Sequence, residues 1–301
     1  MFKNVLVGVD GGPNGRDAIA LASRLADPDG KLTLAHAHSG ALHPGHAIAV
    51  GRLTEEREAS HKLLEQERAT ADVQAELLSI VAMSPGRGLH EQAEEQQADL
   101  IVVGSCSHSA IGRAMLGDDT RAALNGAPCA VAVAPLGYAD GRASITKVGV
   151  AYNDSPESKA ALAMAQTLAA PTRATVHALE VVPIAGYAYT GIIPPAIGES
   201  IDVLLQEANG RMKELPDVEG HAVYGLPGEE LAAFGDQVDI LVVGSRGYGP
   251  VKRLVLGSTS DYLERHARCA LLVLRRAATS PTEDSPTSSE RQADTPAGTT
   301  A

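Results

Sequence analysis

The chain has 301 residues, enough for two ordinary domains, each expected to bury its own core. Apolar residues make up 44% of it, aromatics only 3% and tryptophan none, so a soluble fold with a core of Ala, Val, Leu and Ile is expected. A net charge of -12 argues against general nucleic-acid or anionic-membrane binding, and no apolar run reaches the roughly 18 to 20 residues that span a bilayer.

The N-terminal "MFKNVLVGVDGG" lacks the apolar segment and cleavage site of a secretory signal, so a cytoplasmic protein is expected. Its "NVLVGV" is a β-branched run suited to a buried parallel strand, and "GRDAIALASRLA" places apolar residues at helical spacing. "KLTLAHA" reads as a second strand, Arg52 to Ala71 as a long polar helix, "VQAELLSIV" as a third strand and "GLHEQAEEQQ" as a helix. "DLIVVGS" is the fourth strand, a short helix follows near Asp119, and "CAVAVAP" is the fifth. Alternation of this kind predicts a parallel sheet with helices on both faces.

The pattern is then written a second time. "KVGVAYNDSPESKAALAMAQTLAAPTR" parallels the opening strand and helix, "LPGEELAAFGDQVDILVVGS" parallels "SPGRGLHEQAEEQQADLIVVGS", and "ARCALLVLR" parallels "APCAVAVAP". The reading is an α/β protein of two tandem doubly wound domains, residues 1–137 and 145–276, joined by a linker at 138–144. Residues 277–301 are rich in Ser, Thr and Pro and are expected to be disordered. The three stretches 1–140, 141–276 and 277–301 carry -7, -2 and -3, so the second unit is much the less acidic of the two. Cys106, Cys129 and Cys269 show no CxxC spacing, and the last two sit in strand-like runs, where a free cysteine behaves as a small hydrophobe.

Doubly wound sheets bind ligands beyond the carboxyl ends of their strands. After the fourth strand of the second unit come Gly244, Gly247 and Gly257, spaced G-x2-G-x9-G, then Ser258, Thr259 and Ser260. The hydroxyls open the helix "DYLERHA", whose free N–H groups and dipole favour an anion. Arg246, Lys252 and Arg253 bring the stretch Gly244 to Ser260 to +3. In its physics this is a phosphate site, although neither GxxxxGK[ST] nor GxGxxG occurs.

This loop, the Asp that closes the first strand in "VGVDGG" and the five-strand unit resemble the universal stress protein family, in tandem form, over about residues 1–276. The resemblance implies a sheet ordered 3-2-1-4-5 in each domain, with ATP and Mg2+ in the crevice between strands 1 and 4. It also implies pairing of two units through their fifth strands, in a homodimer or as a pseudo-dimer within the chain. Carried over, Gly244, Gly247, Gly257, Ser258 and Ser260 hold ribose and phosphates, with Thr259 and Arg246 beside them, and the Val181 backbone meets adenine. The family's strand-1 acid falls on Asn153, which supplies hydrogen bonds but no charge, and Asp154 next to it is a candidate substitute.

The first unit departs in the complementary way. Asp10 and Ala37 match, but the loop reads Gly104, Ser107, Gly117, Asp118, and Gly104 to Thr120 sums to -1. At an effective dielectric of about 20, like charges some 4 Å apart repel by roughly 4 kcal/mol. That exceeds one or two hydrogen bonds at about 1 kcal/mol each. No triphosphate is expected there unless a divalent cation bridges it to Asp118 or Asp119.

Plainer readings compete with these. The glycines alone would make a tight turn, and Asp10, Asp118 and Asp119 would serve as helix caps. His36, His38, His43 and His46 invite a metal reading, but no carboxylate or Cys falls among them, and no metal site is expected. Tyr187 and Tyr189 would cover a nucleotide or pack between units. No catalytic triad or G-x-S-x-G elbow can be read, so a nucleotide-binding regulatory module, not an enzyme, is the leading expectation. A slow ATPase or self-phosphorylation on Ser258 to Ser260 is one alternative, and a scaffold acting through its paired surfaces is another.

Overall fold

The first unit lays down β1 (Phe2–Gly8), α1 (Pro13–Leu25), β2 (Ala26–His38), α2 (Val50–Ala71), β3 (Glu76–Val81), α3 (Pro85–Glu95), β4 (Leu100–Gly104), α4 (Asp118–Leu124) and β5 (Ala130–Ala134). The second repeats it as β6 (Lys147–Ala151), α5 (Pro156–Ala169), β7 (Thr175–Pro183), α6 (Pro195–Lys213), β8 (Glu219–Gly225), α7 (Pro227–Gly235), β9 (Ile240–Gly244), α8 (Ser258–His266) and β10 (Ala270–Leu274). This computed structural model describes residues 1–38, 50–105, 118–141, 144–183, 195–245, 254 and 257–275, and of 50–52, 118–120 and 195–200 the backbone alone. Proline opens α1, α3, α5 and α7, where its missing N–H costs nothing and its fixed φ suits the first turn.

All ten strands form one sheet, ordered β3-β2-β1-β4-β5-β10-β9-β6-β7-β8. Each half has the expected 3-2-1-4-5 order with parallel neighbours. The halves join where β5 runs antiparallel to β10, with Val133 opposite Leu271, Ala132 opposite Leu272 and Val131 opposite Val273. Ala132 and Leu272 hold equivalent places in the two units, so each faces its own counterpart across a local twofold axis.

This seam overturns the expectation that each unit buries a core of its own. One apolar cluster lies on each face of the sheet and runs through both units. Ala132, Leu272, Leu21 of α1 and Leu168 of α5 belong to one cluster; Val131, Leu271, Leu124 of α4 and Leu263 of α8 belong to the other. The physical reason is strand alternation: once β5 and β10 are neighbours, successive side chains of both point to the same two faces and continue each layer. Cys129 and Cys269 are buried here, and burial pushes both thiols up to about 12, so they stay protonated at neutral pH.

The linker is tied down at its start. Tyr138–Asp140 forms a 3-10 turn, and buried Asp17 of α1 accepts from Gly137 N at 2.8 Å and Ala139 N at 2.7 Å. Arg24 stacks over the Tyr138 ring at 4.5 Å and donates to Gly141 O at 2.8 Å. Among the described residues no helix is long and apolar enough to cross a membrane.

Replacing Asp17 by Ala strands two backbone donors. The variant is expected to lose about 2–4 kcal/mol of stability, read as a lower urea midpoint at unchanged slope. An unchanged midpoint would show that the linker is not held this way.

Candidate functional site

The close approach of the first helix to the fourth strand shapes both crevices. In the second unit a Cβ placed on Gly244 would fall 2.8 Å from Glu157 Cβ and 3.0 Å from the Glu157 carbonyl carbon. In the first, a Cβ on Gly104 would run into the Asn14 carbonyl. Glycine at the end of strand 4 thus lets the first turn of α5 or α1 settle against it, a packing role beyond the ligand role predicted for it.

In the second unit this leaves a crevice of about 970 Å³. Asn153, Val181, Gly244 and the run Gly257, Ser258, Thr259, Ser260 all line it, so the residues predicted to act together are together. Arg246 and Gly247 lie outside the described residues, as do Lys252 and Arg253. The matching cavity of the first unit is about 150 Å³ and is lined by Asp10, Ala37 and Gly104, while Gly117 lies outside the described residues. Asp118 and Asp119 open α4, with only their backbone described. Ligand pockets commonly measure roughly 300–1,000 Å³, a range within which the second space falls.

Two helix N-termini meet the larger crevice, and they differ. That of α5 is already satisfied: Ser155 Oγ accepts from Ser158 N at 3.2 Å, and Asn153 Oδ1 accepts from Ser155 Oγ at 2.6 Å and Ser155 N at 3.3 Å. Asn153 therefore supports the α5 cap while its side chain borders the crevice. Among the described residues the N-terminus of α8 has no side-chain cap, and Ser260 there is buried. Its first-turn residues Ser258, Thr259 and Ser260 line the crevice, an arrangement that suits an anion. Gly257 has φ -83° and ψ 168°, an extended conformation open to any residue, so what glycine contributes there is the absence of a side chain.

In the first unit, Asp10 Oδ1 accepts from Gly12 N at 2.8 Å and Gly15 N at 3.1 Å, so this acid caps α1 as the plainer reading expected. Asp154 does not enter the second crevice. It sits at φ +60°, is ion-paired with Lys159 at 2.9 Å and accepts from Tyr152 Oη at 3.1 Å. The hydrogen bonds from Lys159 and Tyr152 hold its carboxyl below the usual range, while burial, and then Asp154, push the Tyr152 phenol up.

The histidines go to separate partners. His36 Nδ1 donates to Val9 O at 2.8 Å, whereas His38 lies 3.3 Å from Glu56 and 3.0 Å from Ser79 Oγ. His43, His46, Tyr187 and Tyr189 lie outside the described residues.

One pair was missed from the sequence. Glu180, 7% exposed, borders the crevice beside Val181 and accepts from Arg211 Nη2 at 2.5 Å. Its second oxygen, Oε2, and Arg211 Nε are buried with no hydrogen-bond partner among the described residues. A lone acid in the apolar strand "HALEVV" was the available signal for Glu180; nothing marked Arg211. A nucleoside hydroxyl or amino group is the kind of donor that the orphaned oxygen needs, so the residues present fit a nucleotide.

The model of the universal stress protein family matches residues 1–135 and again 144–275. A universal stress protein of Mycolicibacterium smegmatis is 26% identical over 291 residues, 90% of this chain and 96% of the relative. One from Thermus aquaticus is 33% identical over 137 residues, 42% of this chain and 96% of the relative. The crystal structure of a universal stress protein from Archaeoglobus fulgidus superposes with a TM-score of 0.62 at 18% identity, covering 91% of this chain and 99% of that one, a likeness of fold.

Since the Gly244 contact is with the Cβ and backbone carbonyl of Glu157, which the helix holds in place, Gly244→Ala is expected to destabilise the protein by about 1–3 kcal/mol, measured by urea unfolding. An unaltered midpoint would mean that α5 does not need this approach.

Proposed function

The chain belongs to the universal stress protein family, and on that premise we propose that it is a nucleotide-binding regulatory module of the stress response. It binds one ATP, with Mg2+, in the crevice of the second unit, works in the cytoplasm and turns over no substrate of its own. The observation that carries the reading is the uncapped N-terminus of α8, opening with Gly257, Ser258, Thr259 and Ser260 on the wall of the larger crevice.

Each group then has a role. The α8 N–H groups and hydroxyls take the phosphates, and the missing side chain at Gly257 leaves room for them. The Val181 backbone takes the adenine edge, and Glu180 Oε2 accepts from a nucleoside O–H or N–H. Asn153, bound to Ser155, holds the α5 turn that closes the near side. Magnesium supplies partial neutralisation of the phosphate charge when bound. Among the described residues no group of three or more His, Cys, Asp or Glu is gathered to hold a metal alone, so the ion is expected to arrive with the nucleotide. The fifth-strand pairing typical of the resemblance is met within the chain by β5 and β10, so the reading requires no second chain at that contact.

Calorimetric titration of Mg-ATP into the full chain is expected to give one site per chain. Gly257→Leu, at an extended φ that tolerates a side chain, should fold normally by circular dichroism and weaken binding more than tenfold. Two equally tight equivalents, or undiminished affinity in Gly257→Leu, would contradict the reading; phosphate release at a rate matching binding would make the protein an enzyme instead.

A further inference from the structure

Three side chains of the first unit meet where α2 covers the edge of the sheet, and they line neither crevice. Strand alternation puts His38 of β2 on the face of Leu34 and Ser79 of β3 on the face of Leu77, the apolar layer that α1 and α2 cover. Glu56 comes from α2, on the helix face that also carries buried Ser60, Leu64 and Glu67. His38 Nε2 lies 3.0 Å from Ser79 Oγ, and His38 Nδ1 lies 3.3 Å from Glu56 Oε2. A carboxylate only accepts, so Nδ1 carries a proton, and in the neutral ring Nε2 is left to accept from the Ser79 hydroxyl.

The second unit shows that the fold does not require this trio. Val181 matches Ala37, so Val182 matches His38. Val182 is in register with Tyr224 as His38 is with Val81, which makes Ala222 the counterpart of Ser79. Val182 and Ala222 pack with Ala208 of α6 in a small apolar cluster. The first unit replaces that contact with a hydroxyl, an imidazole and a carboxylate in series. Because β3 ends the sheet, Ser79 stays half-buried, whereas only 11% of the His38 side chain is accessible. A sheltered base beside a reachable hydroxyl is the arrangement that activates a weak nucleophile.

We propose that Ser79 is a modification site, a nucleophile that takes an acyl group from an activated ester or thioester with His38 as its base. Ser79 Oγ attacks the carbonyl carbon, and its new C–O bond forms as the bond to the leaving oxygen or sulfur breaks. The Oγ proton passes to His38 Nε2 and from there to the leaving group. The donor departs as its alcohol or thiol, and Ser79 keeps the acyl ester. Glu56 is a positioning residue: it holds the ring with Nε2 toward Ser79 and faces the positive charge that the ring gains during transfer. The site stands apart from the nucleotide crevice and does not depend on ATP binding there.

The test treats the full chain, without nucleotide, with an alkyl fluorophosphonate and maps the adduct by peptide mass spectrometry. There an Oγ–P bond replaces P–F, fluoride leaves, and the proton passes through His38 to solvent. An adduct on Ser79 is expected, and p-nitrophenyl acetate should acetylate the same residue. His38→Val and Ser79→Ala bring in the pairing that the second unit already packs, so both should fold by circular dichroism. Labelling should slow roughly a hundredfold in His38→Val and vanish in Ser79→Ala. Glu56→Ala should slow it roughly tenfold, and Glu56→Gln, which still accepts from Nδ1, should recover part of that loss. Ser79 left unlabelled, or labelled as fast in folded His38→Val as in the wild-type chain, overturns the proposal and leaves the nucleotide reading standing.

Discussion

The antiparallel pairing of β5 with β10 is the constraint on which the rest depends. A doubly wound unit of five parallel strands leaves its fifth strand as an edge, rich in Val and Ala and with unpaired backbone groups. Here "AVAVA" and "ALLVL", wholly buried, satisfy each other. The pairing fuses two sheets into one and lets an apolar layer run across each face of both repeats. It also sets neighbours that a single unit would never have: a residue near the local axis faces its own counterpart.

That geometry explains how the copies came to differ in chemistry while agreeing in fold. Arg121 in α4 and Asp261 in α8 hold equivalent places in the repeat and meet across the seam; were both units alike, like charges would face each other there, and in this chain opposite ones do. The crevices diverge in the same spirit. One is wide and ends at an uncapped helix with three hydroxyls in its first positions. The other is narrow, and its strand-1 acid is occupied with capping its own first helix.

Most of this fold was legible because buried parallel strands are continuous β-branched runs and the repeat could be checked against itself. The start of β2 was not. "KLTLAHA" marks the strand from Lys31, yet it begins at Ala26, which pairs with Phe2 before a register shift brings the regular ladder in at Lys31. At Gly244 the structure shows close packing on α5, a demand for glycine that the sequence cannot separate from the ligand role expected there. Glu180 with Arg211, and Arg121 with Asp261, are pairs of distant residues that acquire meaning only when strands and helices are set side by side. The shared core was hidden for the same reason, since each repeat alone looks complete.

The most direct trial of this account is a crystal structure of the full chain with magnesium and a non-hydrolysable ATP analogue. The account predicts triphosphate density against the N–H groups and hydroxyls of Ser258 to Ser260, with none at the start of α4. Phosphates lodged in the first unit, or lying away from the α8 terminus, would contradict it.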